Sequence, residues 1–145
     1  RDWVENNKGW DEILSASTSR REKSLQRLLH LSGKHYCTQN NIDMSFEANE
    51  GPGPVDLKMS RGNDKTVVEI KLSSNADYLH GYEEQIEEYA KAEGTSQRIF
   101  VYVKVGNPGR DKKIEKLHQE RLKKGENPPE LFVIDAQKQT SASKK

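Results

Sequence analysis

The feature that most constrains this fold is a Gly-Asn pair at 62–63 that lies between two runs of strand-forming residues. Such a pair is typical of a two-residue loop in a β-hairpin. If it forms the loop, Arg61 lies opposite Asp64, and counting away from the turn along both strands gives every other pairing. The turn therefore determines which side chains of the two strands meet.

This register brings two acidic side chains together. Asp56 is placed directly opposite Glu69, and alternation along the second strand puts Glu69 and Lys71 on the same face. Two facing carboxylates repel each other and destabilise a sheet. A nearby ammonium or a divalent metal ion would offset this repulsion, and Lys71 could supply the first. The alternative is a surface ion network of these three side chains that has no chemical role and adds little stability.

Size, charge and cysteine content limit the class of protein. The 145 residues suffice for one domain, and the net charge of +1 neither favours nor excludes a nucleic acid partner. The single cysteine, Cys37, excludes an internal disulfide and suits a reducing compartment. No apolar run is long enough to span a bilayer, so we expect a cytoplasmic protein that does not bind membranes. Because the chain begins at Arg1 rather than Met, we also expect further domains upstream of it.

Hydrophobic patterns predict a helix, three antiparallel strands, and then alternating helices and strands. Predicted helices cover about 20–31, 78–93 and 110–124, and predicted strands cover 42–49, the two arms of the hairpin, 99–103 and 131–134. Helices that join successive strands imply that the later strands run parallel. The fold class is therefore α/β with a mixed sheet. We assign 1–19 to an N-terminal linker and short helix, 20–136 to the main domain, and 137–145 to a disordered tail.

Within this element order, Pro-Val-Asp at 54–56 followed by Glu-Ile-Lys at 69–71 resembles the PD-(D/E)XK nuclease superfamily. That group includes restriction endonucleases, Holliday-junction resolvases and RecB-type exonucleases. The resemblance implies a restriction endonuclease-like αβββαβ core, with a mixed central sheet flanked by helices. One departure is Val55, which separates the proline from the aspartate that are adjacent in the family motif.

The resemblance also implies a reaction and a set of site residues. The reaction is hydrolysis of DNA phosphodiester bonds with Mg²⁺, for which Mn²⁺ could substitute. Asp56, Glu69 and Lys71 would be the catalytic residues. Asp56, Glu69 and the backbone carbonyl of Ile70 would bind the metal, and Glu22 on the first helix would be an additional ligand.

Two further groups of residues would contact the substrate. Gln85 and Tyr89 match the Gln-x-x-x-Tyr element of the RecB-type branch and would position the substrate or the lysine, although Tyr89 fits a plain core role equally well. Lys112, Lys113 and Lys116 on the basic third helix would bind nucleic acid phosphates. A solvated helix face is the alternative for these lysines.

Several alternatives remain open at the level of sequence. The chain could be an RNA nuclease, or a non-catalytic module that binds nucleic acid or assembles with a partner on a nuclease fold. Restriction or anti-phage defence is a setting suggested by the family alone, and self-association stays open. His30, His35 and Cys37 could suggest zinc, but a fourth ligand is missing and Gly33 is expected to end the helix between the histidines. We interpret them as ordinary helix-end and strand residues.

Overall fold

A five-stranded mixed sheet lies between helices in the computed structural model, which describes residues 1–49 and 54–138. This confirms the predicted α/β class and the mixed sheet flanked by helices. Residues 51–53 of the turn expected before Asp56, and residues 139–145 of the expected tail, lie outside the described residues. In the described part of the chain, no helix is long and apolar enough to cross a membrane.

The elements follow the predicted order, with two short helices at the start. In chain order they are α1 (Asp2–Asn6), α2 (Gly9–Ser15), a 3₁₀ turn (Thr18–Arg20), α3 (Arg21–Gln39), β1 (Asp43–Asn49), β2 (Pro54–Arg61), β3 (Asp64–Leu72), α4 (Tyr78–His80), a π-helical turn (Gly81–Gln85), α5 (Ile86–Glu93), β4 (Gln97–Lys104), α6 (Pro108–Lys123) and β5 (Glu130–Asp135). The strands lie side by side in the order β1-β2-β3-β4-β5. β2 runs antiparallel to both β1 and β3, whereas β4 runs parallel to β3 and to β5.

The hairpin between β2 and β3 has the predicted register. Its pairs run from Arg61 opposite Asp64, beside the turn, to Leu57 opposite Val68. Gly62 has a φ of +60°, a backbone conformation that glycine adopts without steric cost. The local chemistry of the turn therefore sets the alignment of the two strands that carry the acidic residues.

Each face of the sheet is covered by its own layer of apolar side chains. On one face, Leu25 of α3 packs with Val68 and Ile70 of β3, and Val4 of α1 and Ile13 of α2 join the same cluster. On the other face lie buried residues of β4 and of the helical segments α4 to α6. These include Tyr82, Ile86, Tyr89, Phe100, Tyr102 and Ile114. The N-terminal helices thus belong to the same core as the sheet.

Gly33 does not end the first long helix, contrary to the sequence-based prediction. α3 continues through Gly33 to Gln39. A Cβ atom at this position would lie 2.9 Å from Cε of Met44 on β1. The glycine is explained by this close approach of helix and strand, and not by a helix end.

The absence of a helix break also changes the placement of His30, His35 and Cys37. All three lie on α3, so the expected break between the two histidines is wrong. His30 packs against the ring of Phe46, His35 is exposed, and Cys37 is buried as a free thiol. Among the described residues there is no group of three or more His, Cys, Asp or Glu side chains that could hold a metal ion.

The helical segment predicted for 78–93 is present, but it contains a π-helical turn that the pattern did not indicate. Its buried stripe consists of Tyr78, Tyr82, Ile86 and Tyr89. The segment ends at Gly94, which has a φ of +65°. The extra residue of the π turn shifts the phase of the helix, and a fixed 3.6-residue period cannot describe such a shift.

Glu93, at the end of α5, is buried, which is unusual for a glutamate. Its two carboxylate oxygens accept hydrogen bonds from Lys58 Nζ at 2.8 Å and Lys65 Nζ at 3.0 Å. Burial raises the pKa of Glu93, but these two ammonium groups outweigh it and lower the pKa below its ordinary value. The side chain therefore ties α5 to both strands of the hairpin.

The outer edge of β5 is partly closed by the first helix. The Glu5 Oε1 atom of α1 accepts a hydrogen bond of 3.0 Å from the backbone N–H of Asp135. The next amide along the chain, that of Ala136, points the other way and donates a hydrogen bond to the backbone carbonyl of Lys104 on β4. Arg1 holds Glu5 in place through an ion pair of 3.0 Å.

We expect Glu93→Gln to lower the free energy of unfolding by about 1–3 kcal/mol, because a buried charge-assisted contact to two lysines is weakened. Urea denaturation at neutral pH measures this. Glu88→Gln, on the exposed face of the same helix, is the matched control and should change the stability by less than about 0.5 kcal/mol. Equal stability of the two variants would contradict the role assigned to Glu93.

Candidate active site

The three charged residues singled out in the sequence lie together in the structure. Asp56 comes from β2, and Glu69 and Lys71 come from β3. The Lys71 Nζ atom lies 2.6 Å from Glu69 Oε1. Glu69 is 1% exposed and Lys71 is 9% exposed. The alternative of a solvated surface ion network does not fit this degree of burial.

Asp56 lies where the backbone pairing of β2 with β3 stops. The last pair of the ladder is Leu57 with Val68, so the Asp56–Glu69 backbone pair expected next does not form. The Asp56 side chain takes over this connection: its Oδ2 atom accepts a hydrogen bond of 2.7 Å from the Ile70 backbone N–H. Its Oδ1 atom accepts one of 2.6 Å from Gln26 Nε2 on α3. Both carboxylate oxygens are therefore fixed in orientation.

Glu69 has the opposite surroundings. Apart from the Lys71 ammonium beside Oε1, neither of its carboxylate oxygens has a hydrogen-bond donor among the described residues, and both are shielded from solvent. The Lys71 ammonium, 2.6 Å from Oε1, is the positive group that stabilises this carboxylate within the described part of the chain. Buried polar atoms are nearly always hydrogen bonded, and an exception calls for an explanation such as a bound ion or a catalytic role.

The electrostatics of the site follow from burial and from like charges. Burial raises the pKa of Glu69 well above its ordinary value, and the neighbouring Asp56 carboxylate raises it further. Burial also raises the pKa of Asp56, although the Ile70 N–H and the Lys71 charge act against it. Two carboxylates this close are not both readily ionised in the absence of a further positive charge.

Lys71 stays protonated in this environment. Burial acts to lower the pKa of its ammonium group, but the carboxylates of Glu69, Asp56 and Glu22 together raise the pKa above its ordinary value. A lysine with a raised pKa holds its proton at neutral pH. It is suited to stabilising negative charge and not to accepting a proton.

Glu22 reaches the same region from α3. Its Oε2 atom accepts hydrogen bonds from the Leu72 backbone N–H at 3.3 Å and from Asn75 Nδ2 at 3.0 Å. Its charge acts on Asp56 and on Lys71. Glu22 therefore contributes negative potential to the site, while its own bonds tie α3 to the end of β3.

Gln85 and Tyr89 lie on the side of the site formed by the π turn and α5. Gln85 Nε2 donates a hydrogen bond of 2.6 Å to the Tyr89 hydroxyl. Burial raises the pKa of Tyr89, and the charges of Glu69, Lys71 and Asp56 also act on it. The two residues of the Gln-x-x-x-Tyr element are thus paired with each other, and the tyrosine lies beside the charged cluster.

The remaining predicted residues have plainer positions. Lys112, Lys113 and Lys116 are exposed on α6, and the Lys116 side chain, 78% exposed, lies 3.7 Å from Glu120. They form a solvated basic surface. The Ile70 side chain is fully buried in the core, and its amide is committed to Asp56.

Gln26 is the residue that the sequence analysis missed. It is 5% exposed and belongs to the buried stripe of α3, one turn after Glu22. An amide within an apolar stripe gives little signal, because its partner Asp56 lies thirty positions away. The signal that could have found it is the presence of a polar residue directly beside Leu25 on the buried face.

The raised pKa of Glu69 predicts how stability depends on pH. Because the folded protein holds the Glu69 proton more tightly than the unfolded chain does, stability should fall as the pH rises above the unfolded-state pKa of glutamate. Glu69→Gln removes this titration, so its loss of stability between about pH 5 and about pH 8 should be smaller than that of the wild type. Thermal unfolding across this range measures the difference. Glu130→Gln, an exposed change on β5, should follow the wild-type curve, and parallel curves for Glu69→Gln and the wild type would refute the prediction.

Comparison with known proteins gives one solved structure and one family. No curated protein matches the chain. The structure of Pyrococcus furiosus SfsA in complex with Ca²⁺ is similar over 78% of this chain and 57% of that one, with 14% sequence identity and a TM-score of 0.46. This chain therefore spans little more than half the length of SfsA. Residues 1–107 match the model of a family described as a domain of unknown function, DUF8371, and the chain belongs to that family.

Proposed function

We propose that the site of Asp56, Glu69 and Lys71 hydrolyses phosphodiester bonds of nucleic acid, most readily DNA, with a divalent metal ion. The observation that carries this proposal is the Glu69 carboxylate, which is 1% exposed and whose oxygens have no partner among the described residues other than the Lys71 ammonium. Burying such a group is costly unless a cation or a set of donors stabilises it. Lys71 supplies one positive charge, whereas Asp56 and Glu69 together carry two negative charges when ionised, so a bound cation would balance the second.

The donor set fits a magnesium ion. Asp56 and Glu69 would hold the ion, and the resemblance to PD-(D/E)XK nucleases adds the Ile70 carbonyl. Mg²⁺ is usually bound by one or two carboxylates and keeps several waters. Such a site needs fewer than three acidic side chains, which is consistent with the absence of a three-residue metal cluster among the described residues. Glu22 accepts both of its described hydrogen bonds at Oε2, so Oε1 is the atom through which it would act as an additional ligand.

Under this proposal each residue of the site has a distinct role. A bound divalent ion would neutralise phosphate charge and lower the pKa of a water molecule. Gln26 and the Ile70 amide hold Asp56 in a fixed orientation. Lys71 stays charged and would stabilise the negative charge that develops on the phosphate. Gln85 and Tyr89 would position the substrate beside the charged cluster, and the exposed lysines of α6 would contact its backbone.

We expect Mg²⁺- or Mn²⁺-dependent cleavage that is reduced by roughly 10²-fold or more in Asp56→Ala, Glu69→Ala and Lys71→Ala, because each change removes charge at the reacting phosphate. The assay compares single-stranded, duplex and branched DNA, with RNA of the same sequences beside them. Lys91→Ala, an exposed change on α5, serves as the control and should retain wild-type cleavage.

Each result of this panel distinguishes between the candidate functions. Cleavage of RNA alone would replace the DNA substrate. No cleavage in any metal, together with nucleic acid binding that Lys71→Ala leaves unchanged, would favour a non-catalytic binding module. Circular dichroism of each variant establishes that its fold is retained.

Metal binding should also be visible without cleavage. At Mg²⁺ or Mn²⁺ concentrations about 100-fold above Kd, the melting temperature of the wild type should rise by roughly 5–10 °C, since a ligand that binds only the folded state stabilises it. Glu69→Gln should lose most of this increase because one ligand is removed. An equal increase in both proteins would show that the ion binds elsewhere.

A further inference from the structure

The stem of Lys71 passes directly over a glycine of the π turn. A Cβ atom at Gly81 would lie 2.9 Å from Lys71 Cε and 3.2 Å from Lys71 Cγ. Real Cβ atoms do not approach neighbouring atoms this closely without displacing them. The third neighbour, Cε2 of Phe100, would be at 3.4 Å, which is close to an ordinary contact distance. The space that a side chain at 81 would need is therefore occupied mainly by Lys71.

The backbone does not require glycine here. Gly81 has a φ of −56° and a ψ of −41°, in the right-handed helical region that every residue adopts. Glycine is among the least favourable residues inside a helix, and alanine is the best. The glycine therefore weakens the helix locally, and the feature that accounts for it is the passage of Lys71.

The π turn links Gly81 to the other residues on this side of the site. It begins at Gly81 and ends at Gln85, which bonds Tyr89. Such turns insert one extra residue into a helix and are frequent at functional sites. The same short segment thus carries both the gap that admits Lys71 and Gln85, one member of the polar pair beside the cluster.

We propose that Gly81 is a positioning residue for Lys71: the missing side chain leaves a trough between β3 and the π turn that directs the ammonium group to within 2.6 Å of Glu69. A larger residue would push the stem out of this trough and move the ammonium away from the carboxylate. The positioning is a property of the fold, whereas its consequence for cleavage rests on the proposed nuclease function.

The test is a double-mutant cycle in the 145-residue chain, followed by thermal unfolding. Gly81→Ala should lower the melting temperature of the wild type. In a Lys71→Ala background the new methyl group has space, so Gly81→Ala should raise the melting temperature, because alanine favours the helix. The control is Gly33→Ala, which also places a Cβ 2.9 Å from the end of a flexible side chain, Met44. Its effect should be the same in both backgrounds.

A second measurement follows Lys71 directly. Reductive methylation of lysines with detection by mass spectrometry should modify Lys71 several-fold faster in Gly81→Ala than in the wild type or in Gly33→Ala. If Gly81→Ala alone does not fold, folding of the Gly81→Ala/Lys71→Ala double variant supports the proposal, and its failure to fold overturns it. An equal stability loss in both backgrounds, or unchanged labelling of Lys71, would also overturn it. None of these measurements needs cleavage, so a failure of the nuclease proposal is observed separately.

Discussion

The contact between the Glu69 carboxylate and the Lys71 ammonium is the interaction to which the surrounding structure is adapted. Both groups are almost completely removed from water, and a second carboxylate, Asp56, acts on both of them. Taking charged groups out of water is costly, and an ion pair alone often fails to offset the cost. The neighbouring elements contribute hydrogen-bond donors to Asp56 and leave space for the side chain of Lys71.

Three elements contribute in different ways. α3 approaches the hairpin closely and donates through Gln26 to Asp56. β3 itself donates to the same carboxylate through the Ile70 amide, at the point where regular pairing with β2 has ended. The π turn has no side chain at Gly81, and this leaves space for the stem of Lys71. The carboxylate on β2 is therefore stabilised by an amide from each of two elements, whereas the one on β3 depends on the Lys71 ammonium, and this asymmetry is the chemically informative property of the site.

The sequence predicted much of the fold because the decisive signals are local. The turn at Gly62 fixed the hairpin register, and the register together with strand alternation brought Asp56, Glu69 and Lys71 into one neighbourhood. Features that depend on contacts between distant segments were not predictable. The glycine in α3 was taken for a helix end because its partner, Met44, could not be identified from the pattern.

Three further features of the fold were not predicted from the sequence. The π turn breaks the helical period on which the prediction relied. Glutamate is usually a surface residue, but two lysines of the hairpin bind Glu93 in the fold. Gln26 was overlooked since an amide on a buried stripe becomes meaningful only beside its carboxylate. For Glu93 and Gln26 the missing information was the identity of the neighbouring side chain, and not the nature of the residue itself.

The bond from Asp135 to Glu5 has a consequence for the behaviour of the protein in concentrated solution. A free strand edge offers backbone donors and acceptors to a second chain, and proteins commonly cover or charge such edges. Here a carboxylate from the first helix occupies an outward-facing donor near the end of β5 and brings negative charge to that border. Shortening the chain by its first helix would therefore expose a surface onto which another sheet could be added, and aggregation would be a consequence of the truncation separate from any loss of core packing.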